Sequence, residues 1–381
     1  MSDTASGNGQ ASSVSAPDGA SLRTLIEREI AAAGGWLAFE RFMALALYAP
    51  GLGYYTRSDT QFGTLPASGS DFVTAPELSP LFGRTLARQL AQALGACGGD
   101  TLWEFGAGSG ALAAQLLASD ELAPLLRRYA IVELSGALRA RQQETLAAYA
   151  SRVEWLDALP DAMHGVAIGN EVLDAMPVAL VCFDGTRWQE RGVVVARDGG
   201  FAWQDRPTPL AASFAPDVDT PFARGYLTEV HRQAEAFVAT LAERLQRGAA
   251  FFVDYGFPHA EYCHPQRSGG TLMCHRAHRA DADPLADAGA KDITAHVDFT
   301  RIALAGQDAG LEVIGYTSQA RFLLNCGLLR HLEGADLAQR AMARRLIDEH
   351  EMGELFKVIG FARGCSFDAI GFAQGDRSHT L

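Results

Sequence analysis

The sequence contains no C-x-x-C pair. Its six cysteines, at positions 97, 182, 263, 274, 326 and 365, are scattered. In a chain of this length that pattern predicts reduced thiols in a cytoplasmic protein. Long apolar runs are also missing, and nothing approaches the roughly 18–20 residues of a membrane span. Residues 1–20 hold neither an apolar signal core nor an arginine, so they read as a disordered tail and not as a leader. Basic residues are short, 32 against 45 acidic ones, for a net charge of −13. That argues against a nucleic-acid partner, which usually requires a basic face. It is compatible with a cationic partner or substrate. There is no G-x-S-x-G elbow and no P-loop. Cys263, His264, Cys274, His275 and His278 resemble a ligand set, but their spacings match no recognisable zinc pattern, so no metal is expected.

What is present is a core. Of 381 residues 48% are hydrophobic, enough for a folded globular protein. Residues 21–33 read as an amphipathic helix with Ser21 as N-cap and Gly34-Gly35 as its stop. A second helix follows at 38–48, then a turn-rich lid loop over 51–80, then a helix over 81–94. From there strands and helices alternate: strands at 101–105, 129–134, 153–156 and 165–170, with helices at 111–118 and 136–149. Such alternation predicts a parallel sheet with helices on both faces. The rhythm breaks at a hairpin (178–183 and 188–196), an irregular stretch at 199–222 and a long helix at 226–247. A core strand then follows at 249–255. The closing segments read as helices near 299–309, 320–329 and 337–349 and strands at 311–317 and 355–362. The organisation expected is a tail (1–20), N-terminal helices and lid (21–98), and a core (99–381) with insertions at about 175–225 and 256–297.

The most informative stretch is TLWEFGAGSG, residues 101–110, a strand followed by Gly106, Gly108 and Gly110. Glycines between a strand and a helix bring bare N–H groups and a helix N-terminus close to a ligand. In an open α/β sheet, ligands sit beyond the C-terminal ends of the strands. The polar residues collected there are Glu104, Glu133, Asp157, Asn170, Glu171, Asp174, Asp254 and Tyr255. Glu133 lies 23 residues after Gly110 at the next strand end, where a carboxylate can accept both ribose hydroxyls. A nucleoside-bearing cofactor follows. GAGSGA also fits a variant dinucleotide fingerprint, so a nicotinamide oxidoreductase competes. However, Glu104 replaces the apolar residue usual before those glycines. EFGAGSG instead matches E/D-x-G-x-G-x-G, the loop that binds S-adenosylmethionine, whose sulfonium and ammonium suit an acidic edge.

The blocks FMALALYAPGLGYYT, SDFVTAPELSPLFG, LWEFGAGSGALA, IVELSGALRARQ, NEVLDAMPV, VDYGF, GGTLMCHRAH and DITAHVDFT occur in that order. Over residues 22–362 the sequence resembles the MidA family of class I S-adenosylmethionine-dependent methyltransferases. The resemblance implies a Rossmann-like, seven-stranded, mostly parallel sheet with helices on both faces, plus an N-terminal helical and lid region and an insertion. It also implies protein arginine methylation, which in mitochondrial members yields symmetric dimethylarginine on a subunit of respiratory complex I. Ser70 stands where the family usually has glycine.

Arginine is protonated at neutral pH, so carboxylates are needed to orient it and to accept a proton. Glu171 and Asp174, three apart, are the candidate catalytic pair on one face of a helical turn that Pro177 ends. Asp71 on the lid is a further contact. Glu104, Gly106, Gly108, Gly110, Glu133, Asp157 (at the adenine) and Asn170 are the candidate cofactor-binding residues. His296, Tyr255 and Gln319 could face the pocket. A non-catalytic assembly protein on the same fold is the other alternative.

Overall fold

The computed structural model describes residues 21–57, 74–210, 222–276 and 279–381. The N-terminal helix, Leu22–Ala32, begins where Ser21 Oγ accepts the Thr24 N–H and buries Leu22, Ile26 and Ile30 on one stripe. The second helix, Phe39–Tyr48, buries Phe39, Phe42, Met43, Leu45, Ala46 and Leu47. A third, Pro80–Cys97, is capped by the Ser79 hydroxyl and stopped by left-handed Gly98.

The central sheet has eight strands. Seven lie along one path, in the order Glu312–Ser318, Phe356–Arg363, Leu245–Phe257, Met163–Asn170, Thr101–Phe105, Arg128–Val132 and Val153–Leu156. The last five run parallel, whereas Phe356–Arg363 is antiparallel to both of its neighbours. The eighth, Val297–Asp298, pairs with the end of Leu245–Phe257 and is one more than the resemblance implies. All five residues of Thr101–Phe105 are buried, as a strand covered on both faces requires. Alternation sends Leu102, Ile131, Ile168 and Phe251 to one core and Trp103, Ala130, Ala167 and Phe252 to the other. From Thr101–Phe105 the chain steps outward through two strands and then returns to Met163–Asn170 on the other side. This reversal opens a crevice at the C-terminal ends of those two strands.

Two smaller sheets lie outside this layer. One has five antiparallel strands, including Ala179–Phe183, Trp188–Val195 and Leu227–Val230, and packs against the first two helices. The other joins Met273–Arg276, Arg279–Asp281 and Asp292–Thr294.

Several expectations require correction. Residues 226–247 are not one helix. Leu227–Val230 is a strand paired with Ala179–Phe183, the helix is Arg232–Arg244, and Leu245 already belongs to the next strand. The helical spacing of Ala234, Val238 and Leu241 extends no further than that helix. The irregular stretch 199–222 holds the strand Phe201–Pro207, whose mostly exposed side chains carry no apolar alternation. The irregular stretch 256–297 holds the three-stranded sheet. The helix expected at 320–329 breaks at left-handed Gly327. Finally, Cys97 and Cys365 form a disulfide, so the thiols are not all reduced. The antiparallel last strand brings Cys365 back beside the end of Pro80–Cys97, with the two Cα atoms 5.2 Å apart, although 268 residues separate them in sequence. Thiol titration of the denatured, unreduced protein should therefore find Cys182, Cys263, Cys274 and Cys326 free and the other two unreactive. A count of six would contradict the bridge.

Candidate active site

A cavity of about 490 Å³ occupies the crevice. Gly106, Gly108 and Gly110 all have positive φ, at 64°, 52° and 85°. A Cβ on Gly106 would meet Val172 Cγ2 at 2.7 Å, whereas Gly108 faces open space. Gly106, Gly108 and Ser109 line the cavity, while Gly110 caps the helix Ala111–Leu117 behind it. The short helix Ala75–Leu78 packs over the loop: Ser109 Oγ donates to Glu77, and Gln115 Nε2 donates to Pro76 O at 2.7 Å.

Glu104 is 2% exposed and accepts a hydrogen bond from Tyr129 Oη at 2.6 Å. Burial pushes its carboxyl up to about 7 against the pull of that bond, with the Glu133 charge adding to the rise. Glu133 stands at the next strand end, where Ser135 N–H and Gln142 Nε2–H donate to its two oxygens at 2.8 and 3.0 Å. Burial raises it as well. Gln142 also reaches Gly108 O, so one side chain ties the glycine loop to Glu133.

Asn170, Glu171 and Asp174 line the opposite wall. Asn170 ends the strand Met163–Asn170, and Glu171 and Asp174 sit in the irregular turn that follows, not in the helical turn expected. Glu171 adopts φ 53°, a strained conformation for a residue with a side chain. Asn170 Nδ2 donates to Glu171 Oε1 at 3.0 Å. Tyr255 Oη donates to Asp174 Oδ2 at 2.5 Å. Burial, then the Asp174 charge, pushes Glu171 up to about 8, and burial raises Asp174 to about 6. Asn170 Oδ1 and Asp174 Oδ1 are buried without a hydrogen-bond partner among the described residues. Behind them, Asp254 Oδ2 accepts the N–H groups of Val172, Leu173 and Asp174.

Other sequence candidates fall elsewhere. Asp157 does not line the cavity; its side chain is 85% exposed and ion-paired with Arg139. Asp71 lies outside the described residues. Gln319 is buried away from the cavity, its Nε2 bonded to Leu346 O. His296 does line it, and burial lowers its imidazole to about 4, so it is neutral. The sequence reading missed Tyr48, Tyr55 and Asp292, which form a further wall. The signal was local: both tyrosines fall in the block YAPGLGYY, and Asp292 opens the block DITAHVDFT.

Residues 85–317 match the family described as "Putative S-adenosyl-L-methionine-dependent methyltransferase". The chain belongs to the MidA family of S-adenosylmethionine-dependent methyltransferases. A solved Burkholderia thailandensis protein of this kind, with S-adenosyl-homocysteine bound, is 54% identical. It covers 94% of this chain and 96% of its own, with a TM-score of 0.90. Among curated relatives, the mitochondrial protein arginine methyltransferase NDUFAF7 of Danio rerio is 28% identical, covering 87% of this chain and 85% of its own length. The homolog named for Caenorhabditis elegans is 26% identical over 78% and 74%. These relatives are named as mitochondrial, which overturns the expectation of a cytoplasmic protein. This MidA-family chain is a methyltransferase and its cofactor is S-adenosylmethionine.

The cavity suits that cofactor. It offers bare glycine backbone on one side, and buried carboxylates and orphaned oxygens on the other, to a ligand rich in donors and positive charge. In its absence the carboxylates are a liability. Glu104 has a folded value above its unfolded one, so the folded state binds the extra proton and loses stability as pH rises from about 4.5 past 7. The shift corresponds to roughly 3 kcal/mol. Without ligand, Glu104→Gln should melt above the parent at pH 8.5 and close to it at pH 5, and should bind S-adenosyl-homocysteine more weakly. Equal differences at both pH values would contradict the assignment.

Proposed function

We propose that this chain methylates an arginine side chain of a partner protein. Two things support this reading. The curated relatives are named protein arginine methyltransferases. The observation that carries it is the pair of carboxyl groups of half-buried Glu171 and buried Asp174, lining one cavity, with an oxygen on Asp174 unpartnered among the described residues. A guanidinium presents five N–H donors in a planar fork, and paired carboxylates accept that geometry. The family resemblance extends the reading to symmetric dimethylation and to a subunit of respiratory complex I.

When bound, S-adenosylmethionine supplies an electrophilic methyl group. In this reading Glu104, Glu133, Asn170 and the Gly106–Gly110 loop hold the cofactor. Asp157 is turned toward Arg139, so the adenine contact passes to the backbone beside it. Asp71 remains a proposed lid contact. Glu171 and Asp174 orient the guanidinium and fix which nitrogen faces the cofactor; alignment of this kind is worth up to ~7–11 kcal/mol. The nitrogen must give up one proton for each methyl it gains. Glu171, raised to about 8 by burial, is a stronger base than an ordinary carboxylate and takes that proton.

Transfer of labelled methyl to an arginine peptide tests this directly. Activity should rise with pH until Glu171 is ionised, near 8. Glu171→Gln should lower kcat by about 10²–10⁴-fold while S-adenosyl-homocysteine affinity stays within about threefold. Label appearing only on lysine, or full activity in Glu171→Gln, would contradict the proposal.

A further inference from the structure

Part of the cavity wall is built by elements outside the central sheet. Tyr48 closes the helix Phe39–Tyr48, and Tyr55 lies in the turn that follows. That turn folds back through Tyr54 N–H to Ala46 O and Tyr55 N–H to Leu47 O. The two rings stack at 5.5 Å with an interplanar angle of 22°. Tyr48 keeps 40% of its surface accessible and lines the cavity. Asp292, on the edge strand Asp292–Thr294, is 3% exposed and accepts Tyr55 Oη at 2.8 Å.

This wall is stitched to the turn that carries Glu171 and Asp174. Tyr48 Oη donates to Ala175 O at 2.8 Å, and Ala295 N–H donates to Asp174 O at 3.0 Å. The helix, the small sheet and the carboxylate turn are therefore held in fixed relation. Asp292 contributes to the field at Glu171, Tyr48 and Tyr55. A cavity that gathers the carboxyl groups of Glu171, Asp174 and Asp292 with two stacked tyrosine rings matches a planar cation. Its edges meet oxygens and its face meets a π-surface. A compact ammonium uses the oxygens but not the flat aromatic wall.

We propose that Asp292, held by Tyr55 and flanked by Tyr48, is the specificity-determining residue that selects a guanidinium side chain alongside Glu171 and Asp174. This rests on the reading of the site as an arginine methyltransferase and adds to it a second, separately removable anchor. Selection here means binding, so the effect belongs in KM.

The test uses the full chain with an arginine peptide as substrate and the same peptide carrying neutral citrulline as competitive inhibitor. Asp292→Asn should raise the arginine-peptide KM at least tenfold, with a smaller change in kcat. S-adenosyl-homocysteine affinity should stay within about twofold, and the citrulline peptide's inhibition constant should barely move. Tyr55→Phe, which removes the Oη donor to Asp292 and keeps the ring, should raise KM by a smaller factor and serves if the first variant fails to fold. An unchanged KM in a folded variant overturns the inference and leaves the arginine reading standing. Parallel loss of S-adenosyl-homocysteine binding also overturns it, because Asp292 would then be structural. A parent protein that binds S-adenosyl-homocysteine but transfers nothing to arginine sinks both.

Discussion

Asp254 holds the site together. One of its oxygens accepts three consecutive backbone N–H groups, from Val172, Leu173 and Asp174, and the other accepts Tyr255 N–H. These bonds work against the burial and the Asp174 and Glu171 charges that raise the Asp254 carboxyl well above its ordinary value. They also hold the preceding residue, Glu171, at a φ that a side chain resists. Glu171 and Asp174 face the cavity because this turn has its shape. Tyr48 and Ala295 then bond to the carbonyls of the same turn, so the outer walls take their positions from it as well.

The cavity divides by origin. Its cofactor side comes from the central sheet: the glycine loop after Thr101–Phe105 and Glu133 after Arg128–Val132. Another part comes from the second helix with the turn after it and from the three-stranded sheet, which the parallel core does not require. The walls meet at Glu171 and Asp174, where burial raises both carboxyl groups and the Asp174 charge adds to the rise of Glu171. A site this crowded with acids is poised for a cation and strained without one.

The core was legible because each of its strands carries a local signature. Thr101–Phe105 is apolar with glycines behind it, and Glu133 sits at the spacing a ribose contact needs. Glu104 was informative for a different reason: a carboxylate at a buried strand end has no structural purpose of its own. What stayed hidden depends on pairing. Phe201–Pro207 is an edge strand with an exposed face, so neither apolar run nor alternation marks it. Leu227–Val230 was absorbed into a neighbouring helix because four residues cannot establish a period. The Cys97–Cys365 bridge depends on an antiparallel last strand that no spacing reveals. Asp292 and Tyr55 lie 237 residues apart and become neighbours only when a small sheet folds across the crevice.

The central claim is that buried, partly protonated carboxyl groups wait in this cavity for a cationic ligand. Calorimetry of S-adenosylmethionine binding at pH 7, in buffers of differing ionisation enthalpy, measures the protons exchanged. Glu104, near 7, is about half protonated at that pH, and a positive ligand should displace its proton. The account predicts a net release of roughly half a proton or more per ligand bound. Binding heats that do not depend on the buffer would contradict it.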